Sequence, residues 1–229
     1  CMYTLYIANK VYSSWSLRPW IMMRELELLF EEKLVIFGTG NNWENFRKFS
    51  PAGKVPCLHD GVSVVWDSLA IIEYLADRHR GVWPEDAQAK IWARCAAAEM
   101  HSGFSHLRTT CTMHVGLRIR LKEIKAELQA EIDRLNELWC EGLNRFGGPF
   151  LAGEKFTAVD AFFAPVIFRI QTYGIAMNPQ ASAYVKRMLA LPTMQQWQTE
   201  ALREKWREPG HEKTALAAGD VLEDKRMQP

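Results

Sequence analysis

What this sequence lacks narrows the reading first. It has no excess of charge of either sign, since 28 Lys plus Arg stand against 27 Asp plus Glu for a formal net charge of +1. That balance supplies no global field for nucleic acid or an anionic membrane, and no run of Lys and Arg is dense enough to make a local one. No nucleic-acid partner is expected. Long hydrophobic runs are missing too: stretches such as DAFFAPVIF, residues 160–168, fall far short of the roughly 20 that span a bilayer. With no cleavable signal pattern at the start, the expectation is a cytoplasmic protein with no membrane partner. Cysteine is sparse and badly spaced for a framework. Cys1, Cys57, Cys95, Cys111 and Cys140 are odd in number and show neither close pairing nor Cys/His metal spacing. Reduced thiols and no metal are expected. Cys1 precedes Met2, which reads as a natural start, so Cys1 is expected to be foreign to the native chain. No internal repeat is present.

What is there is a 229-residue chain, 48% hydrophobic, 24% charged and 11% aromatic, which reads as one or two globular domains. MYTLYIA alternates and reads as a strand. A helix is predicted over 16–29, with Pro19 in a tolerated first turn, and EKLVIFG reads as a second strand. Residues 39–50 read as irregular or weakly helical. KVPCLHDGVSVVW reads as two short strands joined at Asp60-Gly61, a strong hairpin signal. A helix follows over 68–78, with Leu69, Ile72, Leu75 and Ala76 on one face.

Beyond RGVWPED the pattern becomes helical throughout, with Pro84 marking the linker. Long helices are predicted over 87–114 and 122–146. FGGPFLAGEKFT reads as a loop, after which Thr157 and Asp160 form a capping signature for the apolar helix AVDAFFAPVIFRI. Pro165 is expected to bend that helix, and Pro192 precedes another carrying Met194 and Trp197. From Pro209 onward the chain is polar and aperiodic, and partial disorder is expected. The fold class is α/β plus all-α: a small α/β domain at 2–80, a helical domain at 87–207 and a polar tail at 208–229.

Three stretches could carry chemistry. At Val55-Pro56, a proline opening a strand beside a loop cannot donate to the ladder; a cis bond there would turn Val55's N–H and C=O outward to pair with an extended peptide. In WDSLAIIEYL, Asp67 or Ser68 caps a helix whose N-terminal amides form an anion site, with simple capping as the plainer alternative. In YSSWSLRPW, Ser13 and Ser16 have the spacing of a C-x-x-C redox motif, with hydroxyls replacing both thiols. Serines cannot shuttle disulfides, but a hydroxyl at a helix N-terminus can donate to a bound thiolate that the helix dipole also favours.

In this order, SSWSLRPW, SPAGKVPCL, WDSLAIIEYLADRH and FTAVDAFFAPV resemble a cytosolic glutathione S-transferase, most similar to the bacterial branch sharing the zeta class's S-S-x-S motif. The resemblance covers about residues 2–205. It implies a thioredoxin-like N-terminal domain, an all-helical C-terminal domain, a homodimer, a detoxification role and glutathione as co-substrate. By resemblance, Ser13 approaches the glutathione sulfur, with Ser14 and Trp15 its neighbours. Val55, before Pro56, pairs with the cysteinyl unit, Lys54 lies near the glycyl carboxylate, and Asp67 and Ser68 hold the γ-glutamyl group. Two positions depart from the pattern: Trp15 stands where the zeta motif has Cys, a residue tied to isomerase chemistry, and Asp67 is one methylene shorter than the common Glu or Gln.

The electrophile site is expected between the domains. Met100, His101, Phe104 and Arg108 step along one side of a helix, with His101, Phe104 and Arg108 as candidates; a plain interface or solvated face is the alternative. Tyr173 is a further wall candidate. The functional expectation is conjugation of the glutathione thiolate to small electrophiles. Glutathione-dependent cis-trans isomerisation of the maleylacetoacetate type and a non-catalytic glutathione-binding role stay open beside it. A thiol-disulfide oxidoreductase fits least, because Cys57 is a poorly placed nucleophile.

Overall fold

The computed structural model describes residues 2–38 and 42–227. The readings on Cys1 and on Thr39, Gly40 and Asn41 of the 39–50 segment lie outside the described residues.

The N-terminal unit runs β1 (Tyr3–Ile7), α1 (Ser14–Glu25), β2 (Phe30–Leu34), α2 (Trp43–Phe46), β3 (Cys57–Asp60), β4 (Ser63–Val65) and α3 (Ser68–Ala76). Its four strands lie in the order β2-β1-β3-β4. β1 pairs parallel with β2 and antiparallel with β3, placing Leu5 opposite Leu58. The hairpin sits where Asp60-Gly61 put it, with Asp60 opposite Ser63. β2 begins earlier than the sequence pattern indicated, because the parallel register starts with Tyr3 opposite Phe30 and ends with Ile7 opposite Leu34. α1 also begins earlier, so Pro19 lies inside the helix rather than in its first turn. α1 is buried nearly all round, because α3 packs against it from its own domain and α7 from the other.

The second unit contains α4 (Ala87–Ser102), α5 (Ser105–Thr110), β5 (Leu117–Leu121), α6 (Ala126–Phe146), α7 (Ala158–Tyr173), α8 (Pro179–Leu189), α9 (Pro192–Arg203), α10 (Pro209–Ala217) and β6 (Gly219–Asp224). The helix predicted over 87–114 is two helices, broken at Gly103 and at Phe104, whose φ of 56° is left-handed. Through its described residues, up to Met227, the tail is folded where partial disorder was expected. It forms α10 and then β6, which pairs antiparallel with β5 from Leu117 opposite Asp224 to Leu121 opposite Gly219. The helical domain therefore carries one two-stranded ribbon.

One apolar core runs through both units, and a buried charge cluster ties them together. The Lys10 ammonium pairs with Glu32 and Glu200, each at 2.6 Å, and lies 5.7 Å from the rings of both Trp20 and Trp197. Glu204, just past α9, accepts the Lys10 and Val11 N–H groups at 3.0 and 3.1 Å. These bonds hold the segment that leads into α1, and so fix the position of Ser13.

Candidate functional site

Ser13 is the N-cap residue of α1, but its side chain does not bond the helix's amides. Its hydroxyl instead donates to Ser16 Oγ at 2.6 Å, and Ser16 Oγ accepts the Ala8 N–H at 3.2 Å. Ser16 is fully buried, which makes it the structural hydroxyl of the set. Ser13 and Ser14 line a cleft of about 760 Å³ between the two units, with Trp15, Lys54 and Val55 on one side and Arg108, Arg169 and His211 on the other.

A smaller lobe of about 360 Å³ adjoins it, lined by Val55, Pro56, Asp67, Ser68 and His101. Trp15, Lys54, Val55 and Arg108 line both lobes, so the two form one extended site. The Val55-Pro56 bond is cis, and the Val55 N–H and C=O take no part in hydrogen bonds among the described residues. Asp67 is the residue that caps α3: its Oδ1 accepts the Leu69 and Ala70 N–H groups at 3.0 and 3.3 Å. Ser68 Oγ is buried with no partner, a free donor and acceptor at the head of the helix. Gly53, directly before Lys54, has a φ of +64°, and a Cβ there would stand 2.4 Å from the Trp43 ring.

The electrostatics favour an anion. The Arg18 guanidinium is buried 4.1 Å from the Trp15 ring and 5.3 Å from that of Phe162, with Nε and Nη1 unpartnered. Burial holds its pKa well below the usual range, neighbouring Arg169 and Arg108 push it the same way, and Asp67 opposes them. Arg108 lies 4.7 Å from the Trp15 ring. Arg169 donates to the Cys111 carbonyl at 2.8 Å and the Arg108 carbonyl at 3.3 Å, while its Nε has no partner. Burial lowers its pKa to about 10. Two guanidinium groups, Arg108 and Arg169, line the cleft together with the N-terminal end of α1, and Arg18 lies buried against the Trp15 ring, an arrangement that stabilises negative charge in a bound molecule.

Residues 12–78 match the N-terminal domain of glutathione S-transferases, and residues 106–192 match the C-terminal domain. The chain belongs to the glutathione S-transferase family. A probable maleylacetoacetate isomerase of Vibrio cholerae is 26% identical over 197 residues, covering 80% of this chain and 90% of the relative. Glutathione S-transferase 1 of Dianthus caryophyllus is 28% identical over 173 residues, covering 72% and 76%. Among solved structures, a glutathione transferase homolog from Burkholderia with bound glutathione aligns with a TM-score of 0.67 at 22% identity, covering 88% of this chain and 98% of that one. This last likeness shows the fold.

On the transferase scaffold the site residues expected from sequence separate into three groups. Ser13, Ser14, Trp15, Lys54, Val55, Pro56, Asp67 and Ser68 come together along the two lobes. Arg108 joins them, facing both lobes, whereas His101 lies in the smaller lobe, with Nε2 3.3 Å from Asp67 Oδ2 and its ring edge-on to Trp15 at 5.3 Å. Burial lowers the His101 pKa, aided by Arg18 and Arg108 and opposed by Asp67. Phe104 does not belong to the site. It is 7% exposed and meets Phe163 edge-on at 6.4 Å, because the left-handed turn ahead of α5 rotates it into the core. Tyr173 is likewise core, its hydroxyl donating to the Thr112 carbonyl at 2.6 Å.

Two charged or titratable residues of the cleft wall, Arg169 and His211, were missed from sequence, as was Arg18 buried against Trp15. Arg18 and Arg169 each sit within an otherwise buried helix, and a cation in an apolar stretch such as AFFAPVIFRI was the readable signal. His211 lies in the tail, where the sequence carried no signal.

None of the described thiols lines the cleft. Cys57 is fully buried, and burial pushes its pKa up to about 11 against a bond from Ser50. Burial pushes Cys111 up to about 12, with Arg169 opposing. Thiolate fraction controls alkylation, so brief iodoacetamide treatment of the native protein is expected to label exposed Cys95 first and to spare Cys57 and Cys111. Peptide mapping by mass spectrometry checks the order. Among the described residues no group of three or more His, Cys, Asp or Glu is placed to hold a metal, and no helix is long and apolar enough to cross a membrane.

Proposed function

We propose that the protein binds glutathione along the two lobes and joins its thiolate to a small electrophile. The observation that carries this reading is the Ser13 hydroxyl at the head of α1, on the wall of a cleft ringed by cations. The γ-glutamyl end lies at Asp67 and Ser68, the cysteinyl amide pairs with the free Val55 backbone, and the glycyl carboxylate lies near exposed Lys54. This directs the sulfur toward Ser13, with Ser14 as its neighbour at the first helical position.

There the hydroxyl donates to the sulfur, while the helix dipole and Arg108 favour the thiolate over the thiol. A free thiol titrates near 8.5, so lowering it by about one to two units makes most of it thiolate at neutral pH, at roughly 1.4 kcal/mol per unit. The thiol proton leaves to solvent. The sulfur then forms a C–S bond, and the electrophile's leaving group departs with its electron pair. Placement of thiolate and electrophile side by side supplies much of the rate. Arg108 and Arg169 line the electrophile end.

Isomerisation is the second reading, favoured by the relatives named as maleylacetoacetate isomerases and weakened by Trp15 in place of the zeta-motif cysteine. A homodimer fits the exposed Val62, Val64 and Trp66 on and beside edge strand β4. The cytoplasmic location and detoxification role belong to the same reading.

Calorimetric titration with glutathione, followed by turnover of a chloronitrobenzene and of maleylacetone, tests it. Binding is expected in the wild type and is expected to weaken about tenfold in Ser68→Ala, the loss of roughly 1–1.5 kcal/mol that one hydrogen bond contributes. No binding by the wild type would overturn the reading. Binding without turnover of either substrate would leave a glutathione-binding protein instead of an enzyme.

A further inference from the structure

The folded tail brings a histidine to the larger lobe, at the end where Arg108 and Arg169 stand, and fixes its orientation. Glu208 is the N-cap of α10, and its two carboxylate oxygens accept the Gly210 N–H at 2.9 Å and the His211 N–H at 2.6 Å. The same carboxylate meets His211 Nδ1 at 2.5 Å. Burial pushes the Glu208 pKa up, but these bonds outweigh it and hold the carboxyl below its usual value, so the group stays ionised. The imidazole also stacks on Tyr12, with centroids 5.0 Å apart and planes 22° apart, and on Phe37, at 5.1 Å and 27°. Tyr12 is tied in turn to the tail, its hydroxyl accepting the Glu208 N–H at 3.2 Å. A carboxylate on Nδ1 sets that nitrogen as the donor toward Glu208 and leaves Nε2 as the one that exchanges protons with other groups. His211 lines the same cleft as Ser13 and Ser14.

A carboxylate-held imidazole is not needed to pin α10, because Glu208 already caps the helix through two backbone amides. Nor does it serve a displacement reaction, in which the leaving group carries the electron pair away. Its chemistry matches an electrophile that keeps the pair it receives.

We propose that His211, held by Glu208, is a proton donor to the second substrate, acting on those of the transferase's electrophiles that are α,β-unsaturated carbonyl compounds. This rests on the transferase reading above. The glutathione thiolate forms a C–S bond at the β-carbon, the C=C π pair shifts to the bond between the α-carbon and the carbonyl carbon, and the C=O π pair moves onto oxygen as an enolate. That oxygen takes the Nε2 proton of the imidazolium to give an enol, which tautomerises to the ketone in solvent. The ring is left neutral with Nδ1–H still on Glu208, and solvent returns the proton. Arg108 and Arg169, in the same lobe, steady the enolate before the proton arrives. General acid catalysis of this kind is worth roughly 10²–10⁴ in rate.

The test uses the full chain with glutathione and two electrophiles, 4-phenyl-3-buten-2-one for addition and 1-chloro-2,4-dinitrobenzene for displacement. The quantity read is the ratio of the two kcat values within each protein, which general damage to the fold does not change. His211→Ala and His211→Gln are expected to lower the addition-to-displacement ratio at least tenfold, and added imidazole is expected to restore part of it in His211→Ala. Glu208→Gln, which keeps an acceptor for the α10 amides, is expected to lower the same ratio by acting through the ring's position. An unchanged ratio in the His211 variants, or loss without imidazole rescue, would overturn the assignment while leaving the transferase reading intact. A wild type that turns over neither electrophile would sink the transferase reading and this assignment with it.

Discussion

Ser13→Ala is expected to lower kcat/KM for glutathione conjugation by about a hundredfold or more, the scale seen when one donor to a developing or bound anion is removed. The hydroxyl lost is the one at the head of α1 that now rests on Ser16 Oγ at 2.6 Å. The sign in pH follows from which form it favours. A donor to the thiolate lowers the thiol pKa, so activity is present above the bound pKa and is lost as pH falls through it. Without Ser13 the bound thiol moves back toward about 8.5, and the pH–activity curve shifts upward by the same interval. Ultraviolet absorbance of the bound thiolate across a pH series measures that shift directly. Ser16→Ala is expected to act less, through the position of Ser13 and the freed Ala8 amide. A Ser13→Ala enzyme of full activity beside an inactive Ser14→Ala would reverse the assignment.

Asp160→Ala is expected to be the most destabilising single change discussed here. The carboxylate is fully buried and accepts the Thr157 N–H at 3.0 Å, the Leu151 N–H at 3.1 Å and the Tyr184 hydroxyl at 2.7 Å. Truncation strands three buried donors at the start of α7, the helix that packs on α1, and the expected cost is about 3–5 kcal/mol. For a chain of this length about 3 kcal/mol lowers Tm by roughly 6–12 °C. Burial raises the Asp160 pKa to about 6 against its three hydrogen bonds. A raised carboxyl favours the folded state most below its unfolded value near 3.9, and that contribution is lost as pH rises to about 6. The stability gap between wild type and Asp160→Ala therefore widens as pH falls from 7 toward 4. Thermal melts at several pH values check both the size and the trend, and a drop under 2 °C at neutral pH would show that α7 does not depend on this cap.

Local signals in the chain agree with what forms in the first unit. The alternation in MYTLYIA, the Asp60-Gly61 turn and the Asp67 cap are each decided by a few neighbouring residues, and each stands in the structure as β1, the β3–β4 hairpin and the start of α3. The family motifs marked residues that line the two lobes for the same reason: Ser13, Val55 and Ser68 lie at junctions whose backbone geometry is local. Phe104 was misplaced because helical spacing assumes an unbroken helix, and the break at Gly103 turns the side chain inward. LRIRL alternates as a strand should, but its partner GDVLED is polar and nearly a hundred residues away. Only pairing across that distance makes either one a strand.

By itself the sequence determined the fold class, the family and the serine at the head of α1, since these depend on periodicity and short-range order. The tertiary structure alone decided which polar groups share the cleft. Arg169 arrives from α7, Arg108 from α5 and His211 from the folded tail, and their meeting depends on interdomain packing that no local pattern encodes. Charge that would be too costly to bury in one place is tolerated there because Arg108 and His211 stay partly exposed and the buried Arg169 donates to two carbonyls.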